Sequence, residues 1–274
     1  MALNSVNTNV GAMIALQNLS VTNSELQTVQ NRINTGKKVS SAKDNGAIWA
    51  IAQGQRAEIG ALTAVKDGLT RGQSAVDVSL AAGESVSDLL VQMKELALAA
   101  KDSSLTAASR TALNEDFVSL RAQIASVVAN AEFNGMNLLD GTATGGFKAL
   151  ANVAGDSTID IASQTMTLAA LSIDASTLTT ETNAGAALTA IDDAIAAVSS
   201  KLAKLGTGSK ALGTHLTFVN KLQDTLEAGV GNLVDADLAK ESARLQALQT
   251  KQQLGVQALS IANSSTSILL GLFR

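Results

Sequence analysis

Apolar residues recur every seven positions near the end of the chain, in residues 232–274. Two such ladders run together, and because positions three and four apart lie on one face of an α-helix, they form a single a/d seam. The apolar positions of this seam are Leu238, Leu245, Leu248, Leu259, Ala262, Leu269 and Phe273. Gln252, Gly255 and Thr266 lie on the same face and interrupt it. The spacing predicts a helix that packs against a partner.

The stretch from Gln252 to Phe273 has no charged residue. A helix exposed to water carries charge on its outer face, so we expect neighbours around most of this one. A membrane span is the alternative, because 22 uncharged residues are long enough to cross a bilayer. Nine of the 22 are Gln, Asn, Ser or Thr, which argues against a lipid-facing helix and against stable membrane insertion. The pattern favours an assembly helix.

A similar pattern occurs at the other end, where the first 24 residues are also uncharged. Its seam positions are Val6, Ala12, Met13, Leu19, Leu26 and Ile33. Two ends that share this unusual composition are expected to meet as a helix pair. The predicted assembly interface therefore consists of these residues and the seam of residues 232–274.

Helical periodicity also fills the interior of the chain, at about 48–100, 109–129 and from 187 onward. The ladders predict a buried bundle core. Its members are Leu69, Val76, Leu90, Met93, Leu113, Phe117, Leu120, Ile124, Ile191, Val198, Leu205, Leu212, Val219 and Leu226. The last ladder slips out of phase at 229–235, where we expect a domain junction. Proline, which breaks helices, is absent from the chain.

Residues 142–182 differ from the rest, with alternating apolar and polar runs at 158–161 and 165–168 that predict short strands. The expected fold is mainly α: a nested bundle or coiled coil of long helices with a small β-rich insert. A pair of terminal helices would comprise 1–36 and 234–274. A second helical domain would comprise 37–141 and 183–233, and the insert would be 142–182.

Candidate chemistry is sparse. His215 is the one histidine and there is no cysteine, so neither a catalytic triad nor a thiolate metal site is supported. The glycine-rich run 141–146 lacks the lysine of a phosphate-binding loop. A net charge of −4 and the lack of basic runs argue against nucleic acid. No enzyme, cofactor or metal is expected. The N-terminus does not resemble a cleaved signal peptide, which by itself suggests the cytoplasm.

Several segments resemble bacterial flagellins. At the N-terminal side these are LNSVNTNVGAMIALQNL, RINTGKKVSSAKDNGAIWAIA, GLTRGQSAVDVSLAAGESVSDLLVQMKELALAA and FNGMNLLDG. At the C-terminal side they are LTAIDDAIAAVSSKLAKLG and the tail from VDADLAKES to GLFR. The resemblance covers about 1–141 and 187–274. The short insert, Gln92 where the family usually has Arg, and the segment 208–214 before a displaced His215 resemble the alphaproteobacterial branch.

This resemblance implies a subunit of the extracellular flagellar filament, with the terminal helices in an inner tube and the inner helices in a surrounding one. It implies export through the flagellar type III apparatus without a cleaved signal, which replaces the cytoplasmic expectation. Implied partners are copies of the chain itself, other flagellin paralogues, hook-associated and filament-cap proteins, and the export apparatus with an export chaperone.

Two alternatives stay open at this point. A hook–filament junction protein shares both terminal signatures. A secreted helical membrane-active protein or a coiled-coil receptor fragment would also show heptads.

Overall fold

Long helices account for most of the chain. The computed structural model describes residues 8–271, and the side chains of residues 8–264. The helices of this part are α1 (Val10–Thr35), α2 (Gly46–Ala100), α3 (Ala107–Asn130), α4 (Glu181–Val234) and α5 (Leu238–Gly271). Its strands are β1 (Glu132–Phe133), β2 (Met136–Asn137), β3 (Phe147–Leu150) and β4 (Thr158–Ile161). The prediction of a mainly α fold with a small β-rich insert is confirmed.

Side-chain caps define where the helices begin and end. The Oδ1 atom of Asn9 accepts from the backbone N–H of Ala12 at 3.0 Å and caps α1, while Thr106 caps α3 in the same way. Gly36 ends α1 with φ 68°, a left-handed conformation that glycine adopts without steric cost. This end agrees with the end predicted near Thr35.

The chain divides into two compact units by its internal contacts. One comprises the residues up to Ala57 together with those from Thr225 onward, and the other comprises Glu58–Asp224. The division falls within α2 and α4. The domain limits expected from the sequence are drawn at other points and stay a prediction.

The unit Glu58–Asp224 contains the bundle core. Its α2 and α4 run antiparallel, as contacts from Gly83 to Leu202 and from Gln73 to Ser209 show. Of the expected core residues, eleven are buried: Leu69, Val76, Leu90, Met93, Phe117, Ile124, Ile191, Val198, Leu205, Leu212 and Val219. Leu113 and Leu120 are half-buried, as is Leu226, which belongs to the other unit.

Two antiparallel hairpins form the insert and the segment before it. In β1–β2, Asn134 and Gly135 have φ of 51° and 81° and make a tight turn. In β3–β4, Phe147 pairs with Ile161. Phe147 contacts α2 at Gly72 and Ile161 contacts α4 at Gly208, because glycine leaves room for both side chains. The strand predicted at 158–161 is thus confirmed.

Two local predictions are wrong. Residues 165–168 form no strand. Gln164 N–H donates to Leu138 O at 2.8 Å and Met166 N–H donates to Leu139 O at 2.7 Å, but this pairing does not continue as a ladder. Helix α4 begins at Glu181, not near 187, because Thr180 caps it by accepting from Asn183 N–H at 3.1 Å. It then continues to Val234 through most of the region where the ladder slips.

Candidate assembly interface

Helices α1 and α5 pair antiparallel in a register set by three polar contacts. The amide of Asn9 donates to Ala262 O at 2.7 Å, and the amide of Gln252 donates to Oδ1 of Asn23 at 2.7 Å. Nearer the other end of the pair, Nη1 of Arg32 lies 3.2 Å from Oε1 of Glu241. Positions on α5 fall as those on α1 rise, so all three contacts belong to one alignment.

Gly255 fits the same alignment. A Cβ atom at this position would lie 3.3 Å from Cδ1 of Leu19, so the absence of a side chain lets Leu19 approach the α5 backbone. Two interruptions of the predicted seam, Gln252 and Gly255, are therefore contact points with α1. The side chain of the third, Thr266, lies outside the described residues.

The predicted seam residues are only partly covered. Leu248 is buried, whereas Met13 and Leu238 are 63% and 49% exposed. The others with described side chains are half-buried: Ala12, Leu19, Leu26, Ile33, Leu245, Leu259 and Ala262. Val6, Phe273 and the side chain of Leu269 lie outside the described residues. Two helices alone thus leave much of the expected interface open.

Further apolar side chains project from the pair away from the seam. Leu254 is 60% exposed and Ile261 is 69% exposed. Others with more than half of their surface exposed are Val10, Ile14, Leu16, Val21 and Val256. Apart from Leu16, which flanks the predicted seam face of the first helix, the heptad ladders did not identify these positions. The lack of charge in the same stretches is the sequence signal that marks them.

A short backbone bridge joins the segments that follow α1 and α4. Lys37 and Asp235 form an antiparallel β-bridge. Ala236 N–H donates to Gly36 O at 2.9 Å, and Lys38 N–H donates to Val234 O at 2.8 Å. The bridge holds the start of α5 beside the end of α1.

A charged cleft of about 450 Å³ lies beside this bridge. Glu241 lines it and is 8% exposed. In the part of the chain that the structure describes, Oε1 of Glu241 pairs with Arg32 but Oε2 has no hydrogen-bond partner. A buried carboxylate oxygen without a donor is costly, so this end of the helix pair is incompletely satisfied.

Asp44 organises another wall of the cleft. Its Oδ2 accepts from the backbone N–H groups and hydroxyls of Ser40 and Ser41, at 2.9–3.2 Å. These bonds, led by that from the Ser41 backbone, hold the pKa of Asp44 below its usual value. Asn45 then caps α2 by accepting from Ile48 N–H at 3.1 Å.

The one histidine of the chain makes packing and hydrogen-bond contacts. His215 Nε2 lies 2.6 Å from Ala151 O, and its ring faces Phe218 with centroids 5.6 Å apart. The contact with Ala151 joins α4 to the insert. Residues 8–264 hold no group of three or more side chains suited to a metal ion. In the same part of the chain, no helix is long and apolar enough to cross a membrane.

Comparison with known proteins identifies the family. The bacterial flagellin N-terminal helical region matches residues 6–144, and the bacterial flagellin C-terminal helical region matches residues 188–273. Flagellins FljM and FljK of Caulobacter vibrioides are each 61% identical to this chain over 275 residues, which cover 100% of both chains.

Two solved structures are similar at the level of the fold. The crystal structure of Bacillus cereus flagellin has a TM-score of 0.51 at 22% identity, covering 56% of this chain and 88% of its own. A structure described as a flagellar hook-associated protein from Vibrio parahaemolyticus has a TM-score of 0.56 at 18% identity, covering 70% of this chain and 100% of its own. These two structures show the fold alone, whereas the two family regions and the full-length relatives show the family: the chain belongs to the bacterial flagellin family.

Proposed function

We propose that the chain is a structural subunit that polymerises into the helical flagellar filament used for swimming. The single observation that carries this function is the α1–α5 pair, which is aligned by three polar contacts yet leaves apolar side chains such as Leu254 and Ile261 exposed. Each large apolar side chain contributes about 1.5–3 kcal/mol when it becomes buried. A stack of such pairs would bury these faces between copies.

The filament would have two concentric tubes. Residues 1–36 and 234–274 would form the inner tube, and residues 37–141 with 183–233 would form the outer one. The insert 142–182 would lie on the outer tube without forming a separate domain. Its contacts with Gly72 and Gly208 support this position, because they hold the hairpin against α2 and α4.

The role implies an extracellular location and export through the flagellar type III apparatus without a cleaved signal peptide. Further partners would be an export chaperone, hook-associated and cap proteins, and flagellin paralogues in a mixed filament. The occurrence of FljM and FljK in one organism supports the last of these. The family is structural, and the function needs no catalysis or cofactor.

Electron microscopy of the purified protein in polymerising salt tests this function. We expect long, thin filaments with two radial density shells and the terminal helices inside. A matched chain that ends after Asn263 loses the last apolar seam positions and should form no filaments, while the unit Glu58–Asp224 stays folded by circular dichroism. Filaments from the shortened chain, or a third density shell in the full-length filament, would contradict the proposed layout.

The hook–filament junction is the alternative role. A junction protein would form short assemblies of limited length on hook structures. The full-length identity to flagellins favours the filament role. Unlimited growth of filaments from purified subunits would decide between the two.

A further inference from the structure

One face of α2 in the unit Glu58–Asp224 is acidic. Residues 72–100 contain four carboxylates and one cation, Lys94, whose ammonium pairs with Asp192 at 2.6 Å. The carboxylates are spaced seven, four and seven residues apart, so they share one helix face, and all are exposed. They are Asp77, Glu84, Asp88 and Glu95. Val91 and Leu98, 46% and 59% exposed, lie between and beside them. We call this surface the acidic face.

One face of α4 in the same unit is basic. Residues 194–223 contain four lysines and no carboxylate. Lys204, Lys210 and Lys221 are exposed. Ala211 and Phe218 follow Lys204 at intervals of seven, and Phe218 is 56% exposed. We call this surface, Lys204 to Lys221, the basic face.

Five charged side chains of the two faces form no ion pair within the described part of the chain. Among the described residues, no ion pair involves Glu84, Asp88, Glu95, Lys204 or Lys210. The fourth lysine of the stretch, Lys201, instead donates to the backbone carbonyl of Thr165. Burial, and next the neighbouring charge of Lys204, lower the pKa of Lys201. Like charges along each face therefore repel, and a surface of opposite sign would relieve both.

Both faces are turned away from the bundle core. The acidic face lies on the opposite side of α2 from the buried positions Val86, Leu90 and Met93. The basic face likewise lies away from the buried ladder Ile191 to Val219. Between α4 and β4 there is also a groove of about 350 Å³, which Lys204 and Ala211 line. A side chain from another molecule can enter it beside the basic face.

We infer that the acidic face of one subunit docks against the basic face of the next subunit in the filament. This inference rests on the filament function proposed above and assigns a contact to it. Each face combines charge with exposed apolar side chains, Val91 and Leu98 on one and Phe218 on the other, as the centre and rim of a protein interface require. Because two different faces meet, the contact is heterologous and continues from copy to copy without closing.

A second copy of this chain fits both faces at once. A nucleic acid would take only the basic face and would be repelled by the chain's net charge of −4. The same chain carries both an acidic and a basic face. Complementary charge directs two copies into one relative alignment. No other molecule is needed to account for the two faces.

Charge reversal tests the contact. One variant carries Asp88→Lys and Glu95→Lys, a second carries Lys204→Glu and Lys210→Glu, and a third carries all four changes. In each of the first two variants, the two faces that meet carry charges of the same sign. The critical concentration for polymerisation of these variants should therefore rise by about tenfold or more. The third restores opposite charges with the signs exchanged, so it should polymerise within about threefold of the unchanged chain.

A matched control reverses two carboxylates outside both faces, Glu115→Lys and Asp116→Lys on α3, and should polymerise normally. Thermal melts followed by circular dichroism check that all variants stay folded, as expected for exposed positions. Normal assembly of the first two variants would overturn the contact. So would failure of the fourfold variant to recover while it remains folded.

Zero-length carbodiimide crosslinking gives a readout that does not require filaments. A mixture of ¹⁴N- and ¹⁵N-labelled chains at high concentration separates links between copies from links within one copy. We expect mixed-isotope links from Asp88 or Glu95 to Lys204 or Lys210. If filaments fail to form but these links appear, the result contradicts the proposed function and supports the contact between copies. Mixed-isotope links that join only other sites would overturn the contact.

Discussion

The side-chain amide of Gln252 donates a hydrogen bond to Oδ1 of Asn23 across the α1–α5 pair, over 2.7 Å. Both residues occupy positions where an apolar side chain would have continued the hydrophobic contact. Leucine at both would bind in more than one alignment, because apolar contacts are not directional. The polar pair favours the alignment in which donor and acceptor meet, as a buried polar residue does in a coiled coil.

Replacing Gln252 by Ala should therefore weaken assembly. The change removes one hydrogen bond and leaves Asn23 without its donor, a cost of about 1 kcal/mol. The critical concentration should rise about fivefold, measured by sedimentation of filaments. Gln253→Ala, at the exposed neighbouring position, is the control and should have no effect. Equal effects of the two changes would argue against a role in register.

The exposed apolar residues of α5 should matter only in the filament. Leu254→Gln with Ile261→Gln should leave the melting curve of the dilute monomer unchanged, since both side chains already face solvent. The critical concentration for polymerisation should rise by on the order of a hundredfold or more, because each side chain contributes about 1.5–3 kcal/mol when buried. Thr250→Gln at another exposed position controls for the helix itself. Filaments of normal stability would exclude these residues from the interface.

Two glycines of α2 should respond oppositely to alanine. At Gly72 a Cβ would lie 2.2 Å from the Phe147 ring, so Gly72→Ala must displace the hairpin and should destabilise the unit Glu58–Asp224 by about 1–3 kcal/mol. At Gly60 nothing lies within 4 Å, and Gly60→Ala should stabilise it by about 0.5–1 kcal/mol through helix propensity. Urea unfolding measures both. Stabilisation by both changes would show that Phe147 does not occupy this site.

Acid should loosen the segment before α2. The hydrogen bonds from Ser40 and Ser41 hold the folded pKa of Asp44 below its ordinary value of 3.8. The stability that these hydrogen bonds give to the segment is thus complete above about pH 4. It is lost as the pH falls through the lowered pKa of Asp44 in the folded state. The protection factors of the Ser40 and Ser41 amides against hydrogen exchange, measured by NMR, should fall in that window. Asp44→Asn should abolish the pH dependence, whereas Asp67→Asn should preserve it.

The terminal helices should be protease-sensitive in the free subunit. In the described part of α1 and α5 only Thr22, Val29, Glu241 and Leu248 are buried, which is little apolar burial to offset about 1–2 kcal/mol of backbone entropy per residue. Limited proteolysis of dilute monomer should trim both ends to near Gly46 and Val230. Filaments should resist under the same conditions. Equal resistance of monomer and filament would contradict coupling of folding to assembly.

Much of the helical architecture could be predicted because long helices repeat the same face. Seven-residue spacing identifies buried positions such as Leu90 and Val198 without knowledge of their partners. Strand prediction failed at 165–168 because alternation reports only an extended backbone. Whether an extended segment joins a sheet depends on distant neighbours, here Leu138 and Leu139, whose carbonyls accept from Gln164 and Met166 without forming a longer ladder.

The polar features of the interface could not be predicted for a related reason. Gln252 and Gly255 interrupt the predicted apolar seam, and their role depends on the residues opposite them, Asn23 and Leu19. Pairing between distant segments is not encoded in local periodicity. Predicting these contacts would require the register in which α1 pairs with α5. The periodicity of each helix alone does not reveal that register.

The hydrogen bond from Asn9 to Ala262 joins residues 253 positions apart. Contacts between residues so far apart in the sequence form late, because the entropic cost of closing the intervening loop must be overcome first. A ribosome therefore releases α1 long before α5 exists to receive it. The helix pair then serves as a check on integrity, since a chain that has lost either segment cannot close it. Polymerisation through this pair would select intact subunits without a separate quality-control factor.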